Sequence, residues 1–194
     1  KLSVIHQSAL RLLNLINQIL EFRKTETQNK KLCVCKGNLT PLIHEIGFKY
    51  KELNQKPKID FRIQTEKEEM LLFFDKEIIT IILDNLISNA IKYTEQGRVT
   101  LSLCQTTRNE VSYTEIKVSD TGYGISAEAL PHIFDRYYQE SGKHQASGTG
   151  IGLALVRNLV ELHEGDIRVE STPNEGSTFY ISLLTDNIYP NALH

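Results

Sequence analysis

Several kinds of residue and segment are scarce in this chain of 194 residues. It has three cysteines, two of them in a Cys-x-Cys pair, which supports neither a disulfide framework nor a four-ligand zinc site. No apolar run approaches the ~18 residues that a membrane helix needs, and no segment of this sequence is expected to be a signal peptide. The 22 basic and 24 acidic residues leave a net charge of -2 without a long basic run. We therefore expect a soluble domain that keeps its cysteines reduced and does not bind nucleic acid.

The composition is that of an ordinary globular protein, with 40% apolar and 24% charged residues. The length suits one domain of common size with an appendage. Because the chain begins at Lys1 rather than at a methionine, we expect it to be an excised fragment.

A heptad pattern occupies the first part of the chain, where apolar residues recur at steps of three and four. These residues are Leu2, Ile5, Ala9, Leu12, Ile16 and Ile19. The spacing predicts one long helix that packs against partner helices. The polar segment 24–31 ends this pattern.

An α+β domain is predicted after this helix: a two-layer sandwich of a mixed β-sheet with helices on one face. Predicted helices cover 41–55, 76–93, 126–133 and 152–163. Predicted strands cover 59–63, 70–74, 98–104, 112–118, 166–170 and 177–184. The Gly- and Ser-containing stretch 140–150 separates the last two helices.

The helix predicted over 76–93 carries three polar residues on one face of an otherwise apolar sequence. Asn85, Asn89 and Lys92 are spaced by four and three residues, which aligns them. Amides are poor helix formers, so we expect them to cap or to hold something. The oxygen of Asn89 can ligate a divalent cation, and Lys92 can reach a phosphate.

A first glycine turn, DTGYG at 120–124, follows a predicted strand. Gly122 and Gly124 allow a tight turn, and the carboxylate of Asp120 can accept a hydrogen bond from an exocyclic amine such as that of adenine. The spacing of Gly122, Gly124 and Ala127 also fits a dinucleotide fingerprint. That alternative is disfavoured because Pro131 would interrupt the helix that must follow.

A second glycine segment, GTGIGL at 148–153, leads directly into a predicted helix. Exposed backbone N–H groups and the positive end of a helix form an anion site, which Gly148, Gly150 and Gly152 would let phosphate oxygens approach. No Gly-Lys-Ser/Thr sequence ends either glycine motif, so a Walker A loop is absent.

Together these motifs resemble the catalytic ATP-binding domain of sensor histidine kinases, in the superfamily that includes gyrase, Hsp90 and MutL. NLISNAIKYT at 85–94 is similar to the N box, DTGYG and GTGIGL to the two glycine boxes, and FDRYY at 134–138 to the F box. The similarity runs over 38–184 in family order and implies the Bergerat-type ATP-binding fold. RLLNLINQILEFRK at 11–24 resembles the second helix of the dimerisation and phosphotransfer domain, notably of hybrid sensors.

The resemblance implies a role for each matching residue. Asn89 would bind Mg2+, with Asn85 and Lys92 beside it as catalytic residues, and Asp120 would hold the adenine amine. The other nucleotide-binding positions implied are Tyr93, Gly122, Gly124, Arg136, Lys143, Gly148, Thr149, Gly150, Gly152, Leu153 and Thr178. The implied cofactors are ATP and Mg2+.

The implied domains are the partial phosphotransfer helix at 1–30, a linker at 31–37, the catalytic domain at 38–186 and a tail at 187–194. No histidine with the phosphoacceptor pattern is present, so the acceptor helix is expected upstream, in the same or a partner protomer. A receiver domain and a homodimer are further expected partners. The parent protein is expected to be an inner-membrane sensor of which this is a cytoplasmic part.

Two alternatives remain beside the kinase. One is a degenerate module that senses nucleotide or pairs with other kinases. The other is a hydrolysing ATPase, although members of that kind carry a glutamate where this chain has Asn85, and an amide cannot take a proton from water.

Overall fold

The computed structural model describes residues 1–141 and 148–194. Its helices are α1 (Leu2–Glu26), α2 (Leu39–Leu53), α3 (Lys76–Lys92) and α4 (Gly152–Leu162). Its strands are β1 (Cys35–Asn38), β2 (Ile59–Thr65), β3 (Leu71–Phe74), β4 (Gly97–Arg108), β5 (Val111–Asp120), β6 (Asp166–Thr172) and β7 (Gly176–Leu184).

Five strands form a mixed sheet in the order β2-β4-β5-β7-β6. Strand β2 pairs with β4 in parallel, and the remaining neighbours are antiparallel. Along β4, the residues Val99, Leu101 and Leu103 are buried in strict alternation, so one face of the sheet is covered. Helices α2, α3 and α4 pack on that covered face and bury its apolar side chains. The predicted α+β sandwich is thereby confirmed.

Side-chain caps define the start of two helices. The side chain of Asn38 accepts a hydrogen bond from the N–H of Thr40 at α2, and Asp75 accepts one from Ile78 at α3. Each satisfies a backbone donor that the first helical turn leaves unpaired. Helix α3 then buries a wide apolar face, which includes Ile78, Ile82 and Leu86.

Helix α1 lies against α4 and contributes one buried residue, Phe22, near its C-terminal end. All six of its heptad residues stay exposed, from Leu2 to Ile19. The predicted seam is therefore uncovered along its whole length. Neither α1 nor any other helix within 1–141 and 148–194 has the length and apolarity needed to cross a membrane.

The segments predicted as linker and tail are held in the fold. Strand β1 begins in the predicted linker and ends at Asn38, and it pairs antiparallel with β3, forming a second, two-stranded sheet. The tail returns to the same region, where the N–H of Val34 donates to the carbonyl of Leu193 at 2.8 Å. Tyr189 is completely buried, and its hydroxyl lies 3.1 Å from Nδ1 of His163. The domain boundaries themselves stay predictions.

The prediction of a helix over 126–133 is wrong. Only Leu130–His132 form a short 3-10 turn. Pro131 has no N–H with which to close an α-helical hydrogen bond, and the N–H of His132 donates to the carbonyl of Ala129, three residues back.

Candidate functional site

The first glycine turn packs directly on the C-terminal end of α3. A Cβ atom on Gly122 would overlap the carbonyl oxygen of Tyr93 and lie 2.8 Å from Oγ1 of Thr94, so only glycine fits. The next residue, Tyr123, donates its N–H to the carbonyl of Tyr93 at 3.2 Å. The turn that begins at Asp120 is therefore fixed beside the predicted site residues Lys92 and Tyr93.

Asp120 is the last residue of β5 and is partly buried. Its Oδ1 accepts a hydrogen bond from the N–H of Gly122 at 2.9 Å. Burial raises the pKa of the Asp120 carboxyl above its ordinary value, while backbone N–H donors of Gly122 and Ser177 act in the opposite direction. On the neighbouring strand β7, Thr178 pairs with Ser119, the residue before Asp120. The hydroxyl of Thr178 lies 2.9 Å from that of Ser119.

Gly124 closes this turn against the hairpin that joins β6 and β7. Its φ of +69° is in the left-handed region, and a Cβ atom there would overlap the carbonyl oxygen of Thr172. The N–H of Asn174 donates to the carbonyl of Tyr123 at 2.7 Å, which locks the turn to the hairpin.

The two amides of α3 differ in their hydrogen bonding. Asn85 is buried, donates to the carbonyl of Ile81 at 2.9 Å and accepts from Nε2 of Gln18 at 2.8 Å. The half-buried carboxamide of Asn89 makes no hydrogen bond to any described residue. Its oxygen is therefore available to an outside ligand.

Lys92 lies one turn beyond Asn89 and is also half-buried. Its ammonium lies 5.2 Å from the centre of the Tyr93 ring, and it forms no ion pair within the described part of the chain. Burial lowers the pKa of this ammonium below its ordinary value. An anionic ligand would offset that cost of burying the charge.

The second glycine segment meets α3 near its middle. Gly152 is the first residue of α4, and a Cβ atom on it would lie 2.9 Å from Oδ1 of Asn85. Gly150 has φ +68°, and its carbonyl accepts the N–H of Tyr137 at 2.9 Å. Thr149 accepts the N–H of Ile151 at 3.2 Å through its hydroxyl.

The start of α4 has no side-chain cap, so its first backbone N–H groups remain available. Gly148 is exposed just before this start, and the partly buried Leu153 packs against the core. The predicted phosphate-binding positions therefore surround an open helix N-terminus, which favours an anion.

Two predicted phosphate contacts are placed differently. The guanidinium of Arg136 bonds to the carboxylate of Glu26 and lies 5.0 Å from the centre of the Phe22 ring, both in α1. Lys143 lies outside the described residues.

Sequence reasoning missed two polar residues that contact the site. Gln18 of α1 bonds to Asn85, and its Oε1 also accepts from the hydroxyl of Thr149 at 3.4 Å. Lys56, in the loop after α2, bonds to the C-terminal end of α3. Gln18 lies in the segment 11–24 that resembles a phosphotransfer helix and Lys56 lies in no quoted motif, but neither position predicts a contact with this site, so only the long-range packing identifies them.

The described residues contain no group of three or more His, Cys, Asp or Glu side chains placed to hold a metal. A cation at this site would therefore take its ligands from an amide such as Asn89 and from a bound anion. Oxygen ligands of that kind suit Mg2+.

Comparison with known proteins gives a consistent result. Residues 74–187 match the family described as histidine kinase-, DNA gyrase B- and HSP90-like ATPase. A histidine kinase of Formosa agariphila is 34% identical over 189 residues, which cover 94% of this chain and 14% of that protein. The autoinducer 2 sensor kinase/phosphatase LuxQ of Vibrio vulnificus is 35% identical over 188 residues, covering 94% of this chain and 22% of LuxQ.

Solved structures agree with the fold. The catalytic domain of histidine kinase ThkA has a TM-score of 0.66 and 27% identity, with 79% of this chain and 96% of that chain covered. Full-length ShkA in complex with AMPPNP has a TM-score of 0.79 at 23% identity, covering 93% of this chain and 37% of ShkA. This chain thus spans a small part of the full-length relatives and most of one isolated catalytic domain.

Proposed function

Because this chain belongs to the histidine kinase-, DNA gyrase B- and HSP90-like ATPases, as the catalytic ATP-binding domain of a sensor histidine kinase, we propose that it binds Mg-ATP and transfers the γ-phosphoryl group to a histidine. The histidine belongs to a phosphoacceptor helix of the same or a partner protomer. From there the phosphoryl group is relayed to an aspartate of a response-regulator receiver domain.

One observation carries this proposal: α3 is contacted by both glycine segments. Gly122 packs on its C-terminal end, and Gly152 lies against Asn85. A base acceptor, an amide-bearing helix and an open helix N-terminus are therefore neighbours in space. These are the parts that a nucleotide with its phosphates needs.

The residues divide into a base-binding and a phosphate-binding group. Asp120 accepts from the exocyclic amine of adenine, and the ring of Tyr93 borders the base. The other residues near the base are Gly122, Gly124 and Thr178. Lys92 neutralises phosphate charge, and the backbone around Gly148, Thr149, Gly150, Gly152 and Leu153 offers N–H donors.

Mg2+ fits the residues present, because Asn89 has an unengaged amide oxygen on the same helix face as Lys92. When bound, Mg2+ would neutralise charge on the phosphate oxygens. Asn85 is the second amide of the site, and its oxygen can serve a ligand only where Gln18 releases it.

Transfer to histidine is favoured over hydrolysis by the groups near Asn85. The adjacent carboxylate, Asp84, accepts a hydrogen bond from the hydroxyl of Tyr50 at 2.8 Å and lies 3.3 Å from Nζ of Lys49. It is thus held by α2 and does not replace the missing general base. A neutral imidazole needs no such base, since it is already a nucleophile.

A homodimer is also proposed for the full-length protein. The first turns of α1 expose apolar residues at heptad spacing, which a second helix could bury. The cytoplasmic position beneath an inner-membrane sensor is part of the same proposal.

Calorimetric titration of the chain with Mg-ATP tests the binding step. We expect an affinity in the micromolar to millimolar range, and no detectable binding would refute the proposal. The transfer step is tested by adding a histidine-bearing acceptor domain from a sensor kinase and ATP labelled in its γ-phosphate. Acid-labile phosphohistidine supports the kinase, whereas sustained phosphate release by the chain alone favours a hydrolysing ATPase.

A further inference from the structure

Lys56 lies in the short loop that follows α2. The loop is closed by the side chain of Asn54, which accepts the N–H of Lys56 at 3.1 Å and donates to its carbonyl at 3.2 Å. Both hydrogen bonds fix the backbone from which the Lys56 side chain extends. The side chain is partly buried and points toward α3.

The ammonium of Lys56 binds the C-terminal end of α3. Its Nζ donates to the carbonyls of Ile91 at 2.7 Å, Thr94 at 2.9 Å and Lys92 at 3.4 Å. The last carbonyls of a helix lack intrahelical partners and carry the negative end of the helix dipole. One positive group with three donors therefore satisfies this terminus.

The same four-residue segment, 91–94, supports the first glycine turn from the other side. Tyr93 accepts the N–H of Tyr123, and Gly122 packs on Tyr93 and Thr94 without room for a Cβ atom. Thr94 is fully buried and donates its hydroxyl to the carbonyl of Ala90 at 2.7 Å. The terminus of α3 is thus held between Lys56 and the turn that presents Asp120.

We propose that Lys56 is a positioning residue for the nucleotide site, which it reaches only through the end of α3. Its ammonium keeps the segment 91–94 in the conformation that places Lys92 and Tyr93 opposite the Asp120 turn. The inference rests on the proposed nucleotide binding. It adds a residue outside every motif of the sequence to the groups that set nucleotide affinity.

Loss of the ammonium would remove one donor from the carbonyl of Ile91, which keeps only the long hydrogen bond from the N–H of Thr94 at 3.4 Å, and would remove the ammonium from the carbonyls of Lys92 and Thr94, so the helix end would fray. The affinity for nucleotide would then fall in proportion to the fraction of molecules in which segment 91–94 keeps its contact with the Asp120 turn. Because segment 91–94 packs on the turn that presents Asp120, the loss would affect the base-binding part of the site. Adenosine would bind more weakly for this reason, and Mg-ATP would weaken at least as much, because the same segment also carries Lys92.

The test compares Lys56→Met with Lys58→Met, which removes an exposed ammonium two residues away. Titration calorimetry of the whole chain should show adenosine and Mg-ATP each binding about threefold to tenfold more weakly in Lys56→Met, as expected for a charge at a helix terminus. Lys58→Met should bind both like the unmodified chain. Lys56→Arg, which keeps charge and donors, should restore most of the affinity.

Equal affinity in Lys56→Met and Lys58→Met would overturn the proposal, and so would a loss for Mg-ATP that spares adenosine. Should Lys56→Met fail to fold, Lys56→Gln is compared with Lys56→Arg, and equal affinity in that pair overturns it. If the unmodified chain binds no Mg-ATP, the proposed function itself fails. The two failures are therefore distinguishable.

Discussion

The side chains of Gln18 and Asn85 are joined by a hydrogen bond of 2.8 Å although 67 residues separate them. Gln18 also accepts from Thr149, so one side chain of α1 reaches both α3 and the second glycine segment. Farther along α1, Thr25 accepts a hydrogen bond from Asn158 of α4 at 3.1 Å. The N-terminal helix is therefore docked beside the candidate nucleotide site.

Replacing Gln18 by leucine should weaken the fold. The buried oxygen of Asn85 would lose its donor, and we expect the free energy of unfolding to fall by about 1–2 kcal/mol. Urea denaturation measures the change. Asn17→Leu, at an exposed neighbouring position, is the control and should change stability little. Equal stability of the two variants would show that the hydrogen bond contributes nothing measurable.

Replacing Asn89 by alanine should remove the effect of Mg2+ on nucleotide binding. The unengaged amide oxygen is the proposed ligand, so ATP affinity with and without Mg2+ should become nearly equal. Titration calorimetry in the presence of Mg2+ or of a chelator gives both values. Asn191→Ala, at an exposed position near the C-terminus, should keep the difference. A metal effect of unchanged size in Asn89→Ala would refute this role.

Adenosine binding should depend on pH through Asp120. Only the ionised carboxylate accepts from the amine, and burial raises the pKa of this carboxyl above the ordinary 3.8. Affinity should therefore be complete well above the raised pKa and should weaken as the pH falls through it. Asp120→Asn should bind adenosine about 10- to 100-fold more weakly and lose this component of the pH dependence. Calorimetry over an acidic pH series checks both, with exposed Asp166→Asn expected to follow the unmodified chain.

A methyl group at Gly122 should be strongly destabilising, since it would overlap the carbonyl of Tyr93. We expect Gly122→Ala to lower the free energy of unfolding by about 1–3 kcal/mol, as overpacking does elsewhere. Gly37→Ala is the matched control, because a Cβ atom there would be 3.6 Å from the Phe74 ring, an ordinary contact. Thermal and urea unfolding compare the pair. Similar stability of the two variants would mean that the turn does not pack on α3 as described.

Acid should destabilise the fold through His163. Its Nε2 accepts the N–H of Asp75 at 2.9 Å, so the ring proton is on Nδ1 and is donated to Tyr189. Burial lowers the pKa of His163 below the ordinary 6.5, so between these values the unfolded chain binds more protons. Its contribution to stability is thus complete above pH 6.5 and decreases as the pH falls to the lowered pKa.

Urea denaturation between neutral and mildly acidic pH measures this decrease. His163→Gln, which cannot take up the proton, should show a smaller loss of stability with acid than the unmodified chain. His6→Gln, at an exposed position of α1, should behave like the unmodified chain. An unchanged slope in His163→Gln would exclude His163 as the group responsible.

Local patterns in the sequence were sufficient for most elements. The apolar spacing of α3 and the alternation along β4 each depend on near neighbours in the chain, and both were predicted within a few residues. The helix predicted over 126–133 does not form because Pro131 lacks the N–H that an α-helix would need there. The strand β1 was missed because four residues with one partner strand carry little periodic signal.

The amino-acid sequence was enough to predict which groups would serve a nucleotide, since Asn89, Lys92, Asp120 and the glycines belong to motifs with short fixed spacing. The hydrogen bond of Asn85 with Gln18, the bond of Arg136 to α1 and the contact of Lys56 with the end of α3 became apparent only from the folded chain. These contacts join residues that lie 35 to 110 positions apart. No local pattern encodes them, because such contacts form only when whole helices pack against one another.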